Sequence, residues 1–213
     1  MGSPKVTKRF GTWKSPITAS LVASGSVGFS ELRDSDFGLV WIEHRPSEDG
    51  RSVLVLEADG VQRDLIPHPY SVRSRVHEYG GGAYCVADDE VFFVNATDQN
   101  VYRCSLRIES SGVSQLTAGN ESTRYADITW DGRRNILVGV RETHKAGSEP
   151  VNQLVWIDCI SGEVNALHSG HDFYSSPRLS NDAERIAFLV WDHPNMPWDG
   201  NQLFVATLDG KGR

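Results

Sequence analysis

The chain has 213 residues, of which 39% are hydrophobic and 23% are charged, and its net charge at pH 7 is −7. This composition is ordinary for a globular protein with a buried core, and an acidic chain without a basic patch argues against nucleic acid as a partner. No apolar run approaches the roughly 18 residues of a membrane span, which argues against a membrane partner.

Residues 1–27 form an N-terminal extension that precedes the repeats described below. The extension has charges but no apolar centre, so it does not have the pattern of a signal peptide. Apolar residues spaced three to four apart predict a short amphipathic helix that begins after Ser15-Pro16. These residues are Phe10, Trp13, Ile17 and Leu21. Three scattered cysteines without CxxC spacing indicate reduced thiols and a cytoplasmic location.

From Gly28 onward, short apolar runs bounded by Asn, Asp and Gly predict β-strands. In chain order the predicted strands are 28–32, 38–43, 52–57 and 61–66; then 82–86, 90–94, 101–106 and 113–116; then 126–130, 135–140, 153–158 and 163–167; and finally a strand from Tyr174 to a turn at Ser180, followed by 185–190 and 202–208. Turns at 111–112 and 209–210 close the third strands of the second and fourth units.

The strands recur in one order, which is strand, tight turn, strand, polar loop, strand, turn, strand. Equivalent second strands lie about 45 to 51 residues apart, and a four-strand unit of this length is the signature of a β-propeller blade. The predicted fold class is therefore all-β, a partial β-propeller of about four blades of four-stranded antiparallel sheets with the last blade incomplete. The propeller region is 28–213, and its blades are 28–67, 80–118, 125–168 and 172–213.

The fourth unit has no fourth strand before the sequence ends, and four blades are the minimum for a closed ring. We therefore expect the chain to be a fragment of a larger protein, with one blade face and one strand edge unpaired. Made alone, such a chain is expected to aggregate or to pair edge to edge.

Strands within a blade alternate in direction, so the loops between second and third strands emerge on the same side as the connections between blades. We term this side the loop face, and function carried by loops is expected there. Its loops are 45–51, 95–100, 141–152 and 192–201, and its connections are 67–81, 117–125 and 168–173.

The sequence contains no GxSxG, Walker, HExxH, CxxC or EF-hand motif, so it assigns no catalytic residue, no metal ligand and no cofactor. The first polar candidate site is Arg73, Arg75, His77 and Glu78, followed by three glycines that let backbone approach closely. Two interpretations stay open for it. The residues either recognise a substrate carboxylate or amine, or form a polar cluster that hydrogen-bonds neighbouring blades.

The second candidate is the loop after Trp191, with His193, Asn195, Trp198 and Asp199. Prolines stiffen this loop and its tryptophans offer apolar area. One interpretation is that the loop is a contact surface for another domain or for a substrate. The other is that it is a self-packed loop.

Two weaker candidates remain. The neighbours His171-Asp172 could act as an acid–base pair, although a structural hydrogen bond is the simpler interpretation. His44-Arg45 with Arg141 and His144 are expected to form a solvated rim on the loop face.

Three segments resemble the N-terminal propeller of the prolyl oligopeptidase family, and most closely its dipeptidyl-aminopeptidase/acylaminoacyl-peptidase branch. They are FGTWKSPIT at Phe10–Thr18, RVHEYGGGA at Arg75–Ala83, and DFYSSPRLSNDAERIAFLVWDHPNMPWDG at Asp172–Gly200. The resemblance extends from Phe10 to the last residue.

Members of this family are serine peptidases in which a seven- or eight-bladed propeller precedes an α/β-hydrolase domain that carries a Ser-Asp-His triad. The resemblance implies that this chain limits substrate access in a serine exopeptidase and is inactive alone, because it carries no triad. It also implies two partners, a peptide substrate and a C-terminal α/β-hydrolase domain in the intact protein. The alternative is a stand-alone propeller-type interaction module without enzymatic activity.

Overall fold

The computed structural model describes residues 6–107 and 112–209. Within these ranges the chain forms four antiparallel sheets with very little helix. This confirms the predicted fold class, an all-β partial propeller of four blades. The turns predicted at 111–112 and 209–210 lie partly outside the described residues.

Each sheet is made of strands that are consecutive in the chain. The first sheet contains β1 (Gly28–Ser35), β2 (Gly38–Arg45), β3 (Arg51–Ala58) and β4 (Val61–Asp64). The second contains β5 (Tyr84–Ala87), β6 (Glu90–Val94), β7 (Val101–Ser105) and β8 (Val113–Gln115). The third contains β9 (Thr123–Asp131), β10 (Ile136–Thr143), β11 (Val151–Asp158) and β12 (Val164–His168). The fourth contains β13 (Phe173–Leu179), β14 (Arg185–Trp191) and β15 (Gln202–Thr207) among the described residues.

The core lies in three layers between successive sheets. Both faces of a middle strand are therefore covered, which explains why these strands have nearly continuous apolar sequences. In β10, Leu137 packs toward the second sheet while the adjacent Val138 packs toward the fourth. Burying a side chain of this size stabilises the fold by about 1.5–3 kcal/mol, so each sheet depends on its neighbours for most of its stability.

The outer faces of the first and fourth sheets are apolar and exposed. Leu203 and Val205 alternate along β15 with about two thirds of each side chain accessible, and Phe29 and Leu32 are similarly exposed on β1. No described residue covers these faces. The expectation that the chain aggregates when made alone remains a prediction, and these faces are its physical basis.

The described part of the N-terminal extension, 6–27, contains one short helix, α1 (Ala19–Ala23), which begins where the Oγ1 of Thr18 accepts a hydrogen bond from Leu21 N at 3.0 Å. A helix follows Ser15-Pro16 as expected, but it is not the amphipathic helix predicted, because it contains only Leu21 of the four apolar residues that indicated it. Leu21 and the apolar residues before it are more than half exposed, because a helix of five residues offers no continuous face to the sheets. No helix within the described ranges is both long enough and apolar enough to span a membrane.

The first strands of adjacent sheets contact one another, β5 with β9 and β9 with β13. Three of the first strands contain a β-bulge with one residue in the left-handed region, Glu31 (φ 52°), Asp127 (φ 52°) and Ser176 (φ 54°). A bulge re-aims a side chain that would otherwise follow the alternation of the strand. Here two of the re-aimed side chains are carboxylates that face the neighbouring blade.

Candidate functional site

A cavity of about 180 Å3 lies on the loop face, between the loops of the third and fourth sheets. We term it the acidic cavity, because four carboxylates and three histidines line it. They are Glu78, Glu142, Glu149, Asp172, His77, His144 and His193. No group of three or more His, Cys, Asp or Glu side chains with a geometry that could hold a metal ion occurs within 6–107 and 112–209.

Glu142, near the end of β10, is the most buried carboxylate of the cavity, with 2% of the residue exposed. Its Oε2 accepts a hydrogen bond from the backbone N of His77 at 2.8 Å. Its Oε1 lies 2.7 Å from Nε2 of His144 and accepts a bond from Nη1 of Arg124 at 3.3 Å. Buried charges require such partners, so Glu142 fixes the connection that carries His77 to the third sheet.

Arg124 joins this cluster to Glu78. Its Nη1 donates to Oε1 of Glu78 at 2.7 Å and to the carbonyl of Arg75 at 2.8 Å. The Arg124 guanidinium lowers the pKa of Glu78 below its usual value. Glu78 is largely exposed at the cavity edge, so it is available to solvent and to a ligand as an ionised carboxylate.

His77 lies deeper, with its ring edge-on to Phe173 and Trp191 at centroid distances of 5.2 and 5.4 Å. Burial lowers the pKa of this imidazole, and nearby carboxylates and Asn152 only partly oppose the shift. Nε2 of His77 and Oδ1 of Asn152 are both buried without a hydrogen bond of good geometry. The weak interaction between His77 and Asn152 therefore leaves two polar atoms beside the cavity only partly satisfied, which is uncommon for buried groups.

Arg73 and Arg75, which were predicted to form one site with His77 and Glu78, do not line the cavity. Both side chains are exposed, and these two residues form hydrogen bonds through their backbone atoms. Arg75 N donates to Oε1 of Gln99 at 2.7 Å, and Nε2 of Gln99 donates to the carbonyl of Arg73 at 3.0 Å. Inter-blade hydrogen bonding is also present, since Ser74 Oγ donates to the carbonyl of Tyr125 at 2.7 Å. A role of the four side chains in substrate recognition remains a prediction.

The loop 192–201 shows features of both interpretations. Its backbone is self-packed, since Asn195 N donates to the carbonyl of Asp192 at 3.0 Å and Asp199 N to that of Met196 at 2.9 Å. Yet the indole of Trp198 is 75% exposed. Of the four residues predicted here, His193 lines the acidic cavity, whereas Asn195, Trp198 and Asp199 lie on the exposed part of the loop.

His171 does not pair with Asp172, and the structure supports the simpler interpretation of a structural hydrogen bond, although with a different carboxylate. Nδ1 of His171 lies 2.8 Å from Oδ2 of Asp192, at the end of β14. Asp172 N donates to the other oxygen of Asp192 at 2.7 Å, and Oδ2 of Asp172 accepts from His193 N at 2.9 Å. These contacts join a blade connection to the loop 192–201, so the hydrogen bond of His171 is structural.

The solvated rim predicted from His44-Arg45, Arg141 and His144 is also wrong, because these residues do not come together. Arg45 is only 17% exposed and donates to Asp64 through both Nη atoms at 2.8 and 2.7 Å, as well as to Glu43 and Glu48. The ring of His44 lies between the hydroxyls of Ser30 and Ser52, and Arg141 faces the second sheet.

Sequence reasoning missed the carboxylates at the bulges. Oδ1 of Asp127 accepts from Gly82 N at 2.6 Å, and its Oδ2 accepts from Ser176 N at 2.9 Å. Glu31 accepts from Ala83 N through both oxygens at 3.1 Å. A Cβ at Gly82 would lie 3.0 Å from Oδ1 of Asp127, so this contact explains a glycine in the run 80–82. An acidic residue in a first strand is the signal that could have indicated it.

Solved structures similar to the chain include a puromycin-hydrolyzing peptidase from Mycobacterium tuberculosis, with 31% sequence identity and a TM-score of 0.82. That match covers 98% of this chain and 34% of the peptidase. A puromycin hydrolase matches with 29% identity and a TM-score of 0.84 over 97% of this chain and 34% of its own. An acylaminoacyl peptidase from Pyrococcus horikoshii, at 13% identity and a TM-score of 0.62 over 89% of this chain and 32% of its own, shares the fold. No family model and no curated protein matches the chain.

The fold and these comparisons define the chain as a β-propeller of the peptidase-associated type. The resemblance to the propeller of the prolyl oligopeptidase family is confirmed, with the puromycin-hydrolyzing peptidases as similar structures across nearly the whole chain. The chain spans about a third of the length of these structures.

Proposed function

We propose that this chain is the substrate-gating propeller portion of a cytoplasmic serine exopeptidase of the acylaminoacyl or dipeptidyl peptidase type. In this proposal its partners are a peptide substrate and a C-terminal α/β-hydrolase domain, which supplies the catalytic triad that the chain lacks. The similarity at about 30% identity to peptidases that hydrolyse puromycin supports the class of reaction. The loop face, where blade connections and long loops meet, supports the placement of the substrate.

The acidic cavity is the observation that carries this proposal. Arg124 neutralises part of the charge of Glu78 and Glu142, but Glu149 has no ion pair among the described residues. Burial favours the neutral form of His77, so that ring does not offset the carboxylates at neutral pH. The cavity therefore favours a cation.

The peptide group that fits is the protonated amino terminus rather than the carboxylate. A cation within about 4 Å of a carboxylate gains on the order of 1 to 4 kcal/mol, depending on solvent screening, whereas a second carboxylate would be repelled. A volume of about 180 Å3 admits a terminal amine with its first residue but not a folded chain. Selection of short or unfolded peptides with a free amino terminus follows from this geometry. It favours the dipeptidyl type over the acylaminoacyl type, because an acylated terminus carries no positive charge.

The test compares a tripeptide amide with its N-acetylated form, using calorimetry on the purified protein. The free amine is expected to bind about tenfold more tightly, and Glu149→Gln should remove most of that difference. Glu121→Gln, at an exposed position outside the cavity, is the matched control. Equal binding of the two peptides, or a Glu149→Gln variant that still discriminates between them, would refute amine recognition.

The gating role needs a second readout, because binding alone does not establish it. In the protein joined to its hydrolase domain, His77→Ala with Glu78→Ala should raise KM for peptides with a free amino terminus. Full activity of a variant that also carries Arg75→Ala would remove these residues from the substrate path.

A stand-alone interaction module remains the second candidate, favoured by the exposed indole of Trp198 and by the apolar outer faces of the first and fourth sheets. Sedimentation separates the two candidates. A defined complex with another protein that is lost in Trp198→Ser favours the module, whereas non-specific aggregates favour the peptidase portion.

A further inference from the structure

A second and larger cavity, of about 650 Å3, lies between the second and third sheets. It is lined by the connection at 118–120 on one side and by side chains of the third sheet on the other. The charged residues among its described lining are Arg141 and Lys145. We term it the basic cleft. A positive cavity is unexpected in a chain whose net charge is −7.

The alternation of β10 places this cleft back to back with the acidic cavity. Arg141 is paired across the sheet with Tyr125 and Gln153, and all three line the basic cleft. The next residue, Glu142, points to the opposite face of the sheet and lines the acidic cavity. One strand thus separates a cation-lined cleft from a carboxylate-lined one.

Arg141 has unused hydrogen-bonding capacity. Its Nη2 donates to Oε1 of Gln153, a neutral group, at 2.5 Å, and its Nε is buried without a partner. No carboxylate within 6–107 and 112–209 forms an ion pair with it. Four other arginines with largely buried side chains do form such ion pairs, namely Arg45, Arg51, Arg124 and Arg134. The half-buried Arg63 resembles Arg141 in bonding only a neutral group, the carbonyl of Leu106.

The donor geometry of a guanidinium indicates which group would fit the unused donors of Arg141. A guanidinium presents a planar fork of donors that matches carboxylate and phosphate oxygens, and an ammonium adds a mobile point charge. Lys145 supplies that ammonium from the exposed end of the cleft. Thr143 adds a hydroxyl, while Val151 and Val164 provide apolar surface along the wall. A volume of about 650 Å3 lies within the range of pockets that hold small organic molecules.

We propose that the basic cleft binds a small organic anion, with its carboxylate or phosphate group held by Arg141 and Lys145 and its apolar part lying against Val151 and Val164. This site is separate from the acidic cavity and does not depend on the assignment of a peptidase function. The oxyanion group defines the ligand class, and the titration described below distinguishes a carboxylate ligand from a phosphate ligand.

The test is calorimetric titration of the purified protein with succinate as the carboxylate probe, glycerol 3-phosphate as the phosphate probe and glycerol as the uncharged control. At least one anion should bind with a millimolar or tighter Kd, while glycerol should not bind. Arg141→Gln should weaken binding about tenfold, as expected for a charge-assisted hydrogen bond. Arg185→Gln, at an exposed arginine of β14, is the matched control and should bind as the unaltered protein does.

A chemical footprint gives a readout that does not depend on the folding of a variant. Lysine acetylation followed by peptide mass spectrometry should be slowed by the anion at Lys145 but not at Lys14 in the same sample. Protection by one probe alone assigns the oxyanion type. Any of three results would overturn the proposal. These are no binding of either anion at about 10 mM probe, equal acetylation of Lys145 with and without probe, and unchanged binding by Arg141→Gln.

Discussion

Replacing Asp127 by asparagine tests whether a single carboxylate on the first strand of the third sheet holds its two neighbours in place. Its two oxygens accept hydrogen bonds from Gly82 N at 2.6 Å and from Ser176 N at 2.9 Å. Asparagine is the suitable substitution because it tolerates the left-handed backbone at this position, where φ is 52°. The change therefore alters hydrogen bonding without adding backbone strain.

The magnitude follows from the two contacts. A hydrogen bond to a charged group contributes about 1.5–3 kcal/mol. Asparagine keeps one acceptor oxygen, but it turns an amide NH2 toward the other backbone N–H, so one bond is lost and the remaining one is weaker. Because Asp127 is half-buried, part of the cost is offset by solvent. We expect the free energy of unfolding to fall by about 2 kcal/mol, which lowers Tm by roughly 4–8 °C for a chain of this size.

Urea and thermal unfolding, followed by circular dichroism, measure both quantities. Asp59→Asn is the matched control, since Asp59 has a similar φ of 53° in an exposed turn and should change stability by less than about 0.5 kcal/mol. If Asp127→Asn unfolds at the same urea concentration as Asp59→Asn, the carboxylate does not stabilise the contacts between blades. The role assigned to the bulges of the first strands would then be wrong.

Three further variants test related contacts. Burial raises the pKa of Glu31 above 4.5, so its ionisation costs stability as pH rises through the raised pKa. Relative to the unaltered protein, Glu31→Gln should therefore gain stability between about pH 4 and pH 7 in urea titrations, and a constant difference would contradict this. Burial lowers the pKa of His77 below 6.5, so stability should be lost as pH falls below that value. His77→Asn, which tolerates a φ of 56°, should lose less stability between about pH 7 and pH 5, and an equal loss would argue against the shift. Gly81→Ala places a Cβ 3.0 Å from Oδ1 of Asp127 and should cost about 1–2 kcal/mol. Gly112→Ala, whose added Cβ has no atom of the described residues within 4 Å, should be neutral in the same assay.

The strands could be predicted because their signals are local. The strand predicted at 90–94 has the same bounds in β6, since a run of apolar residues is enclosed there by turn residues on one side and a polar loop on the other. The spacing between such runs then predicted the blades, because a repeated four-strand unit has few other ways to bury its faces. The helix in the N-terminal extension was less predictable, since its length depends on packing that the sequence pattern does not reveal.

The partners within the site could not be predicted, because they are far apart in the chain. The backbone N of His77 meets the carboxylate of Glu142 across 65 residues, and His171 meets Asp192 across 21. Sequence proximity suggested Asp172 for His171, but the carboxylate that lies beside the imidazole comes from the end of the adjacent strand. Left-handed residues such as Asp127 were equally hidden, since aspartate is compatible with an ordinary strand as well as with a bulge.

The end of β10 nevertheless carries a signal that indicates both cavities. The strand is apolar from Ile136 to Val140, with one glycine, and it then continues as Arg141, Glu142 and Thr143 while remaining in register with both of its neighbours. Side chains of a strand alternate between its faces, so adjacent residues of opposite charge in a strand covered on both sides must lie in two different interfaces. An arginine beside a glutamate would be an ordinary surface pair in a loop, but within a paired strand it cannot be. The charge sequence of a central strand therefore predicts two separate polar clefts on either side of one blade, and a one-residue insertion before Arg141 should exchange the charges of the two cavities.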